Sequence, residues 1–159
     1  MPIHAIASVV RLNTRLFLNC LEDVTDEQAL RRAGASANHL AFVATHLVDS
    51  RYFACGYLGL ELAHPFGDRL DSVTSIEDAT WLPSLRELRT AWQGLAVSLE
   101  ACVRSLDDDD LRGPSPQRFP VDDPTLAGGI AFLVQHESYH IGQMAMLRKL
   151  AGHPAMKYG

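Results

Sequence analysis

Residues 85–106 read LRELRTAWQGLAVSLEACVRSL. Apolar side chains recur at Leu85, Leu88, Trp92, Leu95, Leu99, Cys102 and Leu106, in alternating steps of three and four. A half-buried strand would alternate every second residue, whereas a helix brings all seven of these onto one stripe. Pro83 suits the first turn of that helix. Three more segments read the same way. Ile3, Ile6, Val10, Phe17 and Leu21 predict a buried face on a helix from about Pro2 to Leu21. A second long helix is expected from about Ala37 to Tyr57, stopped by Gly59. A last one is expected from about Thr125 to Leu150, closed by Gly152 and Pro154. Thr25-Asp26-Glu27-Gln28 fits a capping box, so a short helix is expected over Glu27 to Arg32, ended by Gly34.

No run of alternating β-branched residues, no Asn-Gly or Asp-Gly hairpin and no internal repeat interrupts this pattern. The expectation is therefore an all-α fold, a four-helix bundle with long connections, as a single domain over residues 1–159. Two connections exceed what a bundle needs: residues 60–82, and DDDDLRGPSPQRFPVDD at 107–123. The four aspartates read as a solvated helix end. The glycine and terminal glutamate of a calcium-binding EF-hand loop are missing.

The chain has 159 residues, 47% of them hydrophobic and 21% charged, with a formal net charge of −5. Arg31-Arg32 and Arg148-Lys149 are isolated basic doublets, which argues against a nucleic-acid partner and against a membrane surface. No secretion signal or membrane span is read in the apolar start, because Arg11 and Arg15 interrupt it. Cys20, Cys55 and Cys102 lie far apart in helical, apolar contexts, as buried free thiols would. A reducing, cytoplasmic location fits them.

The histidines carry the chemistry. On the last helix, Phe132, Leu133, His136, His140, Gln143, Met144 and Leu147 form one stripe, which predicts that His136 and His140 face the core one turn apart. On the second, His39, Phe42, Val43, His46, Phe53 and Tyr57 share a face. A buried imidazole needs a hydrogen-bond partner or a metal. Three converging imidazoles, His46, His136 and His140, fit a divalent ion. His39 alone reads as a hydrogen-bonded core residue or a neighbour of the site. His4, His64 and His153 are expected to be exposed.

His136-Glu-Ser-Tyr-His140 also matches H-E-x-x-H, the zinc signature of metalloproteases. Such a protease needs a third ligand downstream. No Asp or Glu follows Glu137, and the positions where a second branch places Gly and His are Gln143 and Met146. No strand is available to hold a peptide. Glu137 is then an exposed or supporting residue rather than a general base. Read instead as H-x-x-x-H-x-G-Q, the segment offers Gly142 for close approach of a neighbouring helix and Gln143 to orient a histidine. Asp49, one turn after His46, is a further candidate to orient a ligand histidine or a water.

Two stretches, ANHLAFVATHLVDSRYFACGYLG at 37–59 and HESYHIGQMAMLRKLAGHPAMKYG at 136–159, resemble the second and last helices of the DinB-like superfamily, in its YfiT-type metal-binding form. The resemblance implies a three-histidine site at His46, His136 and His140 for a divalent ion, often nickel or zinc, in an often homodimeric bundle. It also implies a small-molecule substrate. Relatives of this kind include S-transferases that use mycothiol, bacillithiol or glutathione, metal-dependent hydrolases, and a thiol-dependent maleylpyruvate isomerase. The expected activity is a metal-dependent S-transferase using a low-molecular-weight thiol as co-substrate. The alternatives are a metal-dependent hydrolase and a non-catalytic metal-binding or stress-response protein. A closed site with His39 as fourth ligand would mark the last of these.

Overall fold

The computed structural model describes residues 3–158, so the helix start expected at Pro2 lies outside the described residues. Four long helices, α1 (Ile3–Leu21), α3 (Leu40–Tyr57), α5 (Leu85–Ser105) and α7 (Leu126–Leu150), are joined by segments that carry α2 (Asp26–Ala29), α4 (Gly67–Leu70) and α6 (Asp108–Arg112). No strand occurs among the described residues. The fold is the expected all-α bundle.

Local chemistry sets where several of the helices start. Thr25 and Gln28 form the capping box of α2, and Ser84 and Glu87 form that of α5. Because Ser84 is the cap, Pro83 precedes α5 instead of sitting in its first turn. The aspartate run does not end α5. Asp107 caps α6, and the Asp110 carboxylate accepts from the Asp107 amide at 3.0 Å, so the acids start a new helix at its positive end. The short α2 stops at Ala29, well before Gly34. Gly59 (φ 80°) and Gly152 (φ 89°) take the left-handed conformation just beyond α3 and α7, as expected of glycine stops.

Both α1 and α3 pack against α5 and α7. The helices thus run α1, α5, α3, α7 around the bundle, with α1 and α3 at opposite corners. The α1–α3 and α5–α7 connections must therefore cross a diagonal, which accounts for their length. The α3–α5 connection, residues 58–84, joins neighbouring corners and is longer than that task requires. Its surplus lies against α3, where Leu70, Val73, Thr74 and Leu82 wall a cavity.

The core falls into two apolar halves. One contains Phe17, Leu47, Leu88, Trp92 and Met144. The other contains Ile6, Val10, Cys55, Leu95, Leu99 and Ile130. On α5 the buried stripe passes through Leu99 to Val103, not Cys102, because a straight helix drifts away from a strict three-four repeat. Between the halves lies a polar layer. Arg51 is fully buried and makes a two-pronged ion pair with buried Glu137, Nε to Oε1 at 2.7 Å and Nη2 to Oε2 at 2.8 Å. Asn13 donates to Glu137 Oε2 at 3.2 Å, and Arg51 Nη1 donates to Thr14 Oγ1 at 2.9 Å. The guanidinium lies 3.3 Å from the centre of the Trp92 ring, so all four long helices meet in this layer. No buried side-chain nitrogen or oxygen among the described residues lacks a partner.

Candidate metal centre

His46 stands near the middle of α3, and His136 and His140 stand one turn apart on α7. The packing of α3 against α7 brings their Nε2 atoms together. His46 Nε2 lies 3.2 Å from His136 Nε2, which lies 3.1 Å from His140 Nε2. Among the described residues, these three form the one group of histidine, cysteine and carboxylate atoms close enough to share an ion.

The geometry fits a divalent ion. Nitrogens bound at about 2.1 Å in a tetrahedron sit about 3.4 Å apart, near the separations observed. The protonation state fits as well. Gln143 donates its amide to the Tyr139 hydroxyl at 3.1 Å and turns its carbonyl oxygen to His140 Nδ1 at 2.7 Å. The His140 Nδ1 therefore holds the proton, and its Nε2 lone pair points inward. Burial first, then the neighbouring imidazoles His140 and His136, push the His46 pKa down to about 4. Burial, with His140, also lowers His136, although adjacent Glu137 pulls the other way. At neutral pH both rings are uncharged donors, the form a metal requires. Three neutral imidazoles facing one another have too few N–H groups to satisfy every contact between them.

The site is not in the core. His46, His136 and His140 are half-buried at the α3–α7 edge, while the buried face of α7 runs through Ile130, Glu137, Ile141, Met144 and Arg148. That corrects the expected core-facing histidine stripe. The two faces differ by one residue, about 100° around the helix. Phe53 on α3 is likewise exposed, not buried.

His39 does not join the three. It is the N-cap of α3, and its Nδ1 accepts from the Phe42 amide at 3.1 Å. Glu137 is neither exposed nor aimed at the histidines; it belongs to the Arg51 pair. An added Cβ at Gly142 would meet nothing, so no helix of the same chain approaches there. Of the histidines expected to be exposed, His4 is exposed. His153 is half-buried, with Nε2 3.1 Å from Gln28 Oε1. His64 is also half-buried; it stacks on Tyr52 with ring centres 4.2 Å apart and reaches Asp49 Oδ1 through Nε2 at 3.2 Å. Asp49 is thus engaged with His64 rather than with a ligand histidine. Cys20, Cys55 and Cys102 are free, and burial raises all three thiols, Cys20 to about 12 and Cys55 to about 11. None is a ready nucleophile.

A cavity of about 240 Å³ opens beside His46 and His140, with Asp49 and the α3–α5 connection among its walls. On the other side, Phe119 from the α6–α7 connection stacks on Phe132 at 4.9 Å, and Phe132 stacks on His136 at 6.1 Å. Phe119 also meets Tyr57 at 5.4 Å. Gly129 is what lets Tyr57 lie against α7, because an added Cβ would collide with its phenol oxygen. Phe119 escaped the sequence reading because it stands in a Pro-rich loop with no periodicity.

The sequence profile of the DinB superfamily matches residues 10–144, which places the chain in that superfamily. No curated protein and no solved structure matches it.

Proposed function

We propose that this DinB-superfamily chain is a metal-dependent enzyme in which His46, His136 and His140 hold a divalent ion, nickel or zinc, beside a small-molecule cavity. The convergence of three Nε2 atoms, with His46 and His140 lining that cavity, supports the reading best. Three neutral imidazoles leave such an ion its full charge and an open position, from which it acidifies a bound thiol or water. The reaction we favour is transfer of a low-molecular-weight thiol to an electrophile. The protein's own thiols are held protonated, so the nucleophile has to come from outside.

The chain's residues have separable tasks in this scheme. Gln143 holds the His140 ring in the donor tautomer. Phe132 and Phe119 shield the His136 side from water. The wall from the α3–α5 connection confines the substrate. Asp49 favours a second reading, a metal-dependent hydrolase, because its carboxylate lines the cavity and can take a proton there. A closed four-ligand structural site has lost its support, since His39 is committed to capping α3. A homodimer in the cytoplasm remains part of the proposal. No helix among the described residues is long and apolar enough to cross a membrane.

The test is metal content per chain, by mass spectrometry, on untagged protein purified without added metal. Near-stoichiometric nickel or zinc that falls at least tenfold in His46→Ala, His136→Ala and His140→Ala is the expected result. A chain that stays empty and refuses added metal overturns the proposal. Metal-loaded protein is then assayed for conjugation of a thiol to an activated aryl halide and for ester or amide hydrolysis, which separates the two reactions.

A further inference from the structure

The cavity beside the histidines has an uneven charge inventory. Of the side chains that line it, only Asp49 is a formal ion, and no Lys or Arg is among them. The connection that forms its far wall continues the bias, with Glu61, Asp68, Asp71, Glu77 and Asp78 set against Arg69. That arginine is turned onto Trp81, its guanidinium 3.4 Å from the ring centre, and neither it nor these acids lines the cavity, where Asp49 is the formal charge. Arg32, from outside the segment, is spent on Glu77 at 3.1 Å. Asp78 gathers the Thr74 and Ser75 hydroxyls at 2.8 Å each, which fixes the turn that presents Thr74 to the cavity.

Asp49 itself is held in place without being neutralised. His64 Nδ1 accepts from the Phe66 amide at 3.1 Å, so its proton sits on Nε2 and is donated to Asp49 Oδ1. Stacking on Tyr52 fixes the ring. The imidazole thus orients the carboxylate while adding no formal charge, and Oδ2 has no hydrogen-bond donor among the described residues. A fixed negative group at the mouth of a partly apolar cavity attracts cations and repels anions.

We propose that this cavity selects a thiol that carries an ammonium group, with the ammonium against Asp49 and the sulfur toward the imidazoles. The inference rests on the thiol-transfer reading and adds a substrate class to it. Thiols whose distal end is a carboxylate are disfavoured by the same wall that favours the ammonium.

The experiment uses cobalt-loaded full-length protein, wild type and Asp49→Asn, titrated with cysteamine, 2-mercaptoethanol and 3-mercaptopropionate. The sulfur-to-cobalt charge-transfer band reports binding as the thiol gives its proton to solvent. Asparagine keeps the hydrogen bond from His64, and position 49 is half-exposed, so the variant retains the fold. Dividing each probe's affinity for wild type by its affinity for Asp49→Asn cancels the intrinsic acidities of the three thiols. The expected ratio is about 5 for cysteamine, about 1 for 2-mercaptoethanol and about one fifth for 3-mercaptopropionate, the scale of a partly exposed charge pair. Equal ratios with clear thiol bands overturn this inference and leave the thiol reading standing. Bound cobalt with no thiol band in either protein overturns both.

Discussion

The two sides of α7 place polar groups among apolar neighbours in opposite ways. On the inner side, Glu137 is buried and fully partnered by Arg51 and Asn13. On the outer side, His136 and His140 are half-buried and turn their Nε2 atoms toward one another and toward His46. Glu137 directly follows His136 in the sequence. The inner pair is closed and serves the fold, since every buried nitrogen and oxygen in it has a partner. The outer trio is open, with three ring nitrogens close together and a cavity beside His46 and His140. In H-E-x-x-H of this chain, the glutamate and the histidines therefore belong to different machines.

That contrast is broken most forcefully at Glu137. Glu137→Leu leaves the Arg51 guanidinium buried without its counter-charge, and urea denaturation is expected to show a loss of about 3–5 kcal/mol. The double variant Arg51→Met/Glu137→Leu should recover much of it. A single variant as stable as wild type would show that the pair does not hold the inner side. Next comes Gly129→Ala, which pushes Tyr57 off α7 and disturbs its 2.8 Å bond to Ser115. A loss of about 1–3 kcal/mol is expected, read as a lowered thermal midpoint.

The outer side should instead reveal itself through pH. In the metal-free protein, His46 titrates near 4, below the ordinary histidine value of about 6.5. Between those values the unfolded chain binds a proton that the folded chain refuses. Stability is then full above about 6.5 and declines as pH falls toward 4. Asp78, Glu87 and Asp123 are also held low by their hydrogen bonds, but their loss comes at more acid pH. His46→Ala should flatten the slope in the upper window, and an unchanged slope would remove His46 as its source. The smallest effect is expected for His136→Ala on metal-free stability, under about 1 kcal/mol, because a half-buried ring whose hydrogen-bonding neighbours are histidines holds little of the fold together. A loss as large as that of Glu137→Leu would erase the distinction between the two sides.

Much of this molecule was legible from spacing and punctuation. The stripes of α1 and α5, the Thr25 capping box and the glycine stops at 59 and 152 are local signals, and local geometry realises them. The histidine trio was legible too, since spacing on one helix fixes His136 against His140. Its depth was not. The stripe reading took the apolar positions nearest the histidines for the core face. The true face is marked by Glu137 and Arg148, which look like surface residues. Arg148 is buried because it donates to the carbonyls of Cys20 on α1 and of Pro154 just past the helix end, contacts that no periodicity encodes. His39 is buried and hydrogen-bonded, as read, but it is so as the cap residue, whose side chain bends back to the backbone instead of continuing the helical face. Asp49 and His64 lie 15 positions apart, and a loop of no regular pattern brings them together.

The buried ion pair also has a consequence for how the site comes into being. If α7 slid one turn along α3, an apolar residue would face Arg51 and the guanidinium would be stranded. The bundle therefore has one tolerable alignment, and in that alignment His46 meets His136. If an ion is held there, as proposed above, it would meet ligands that the buried ion pair has already aligned.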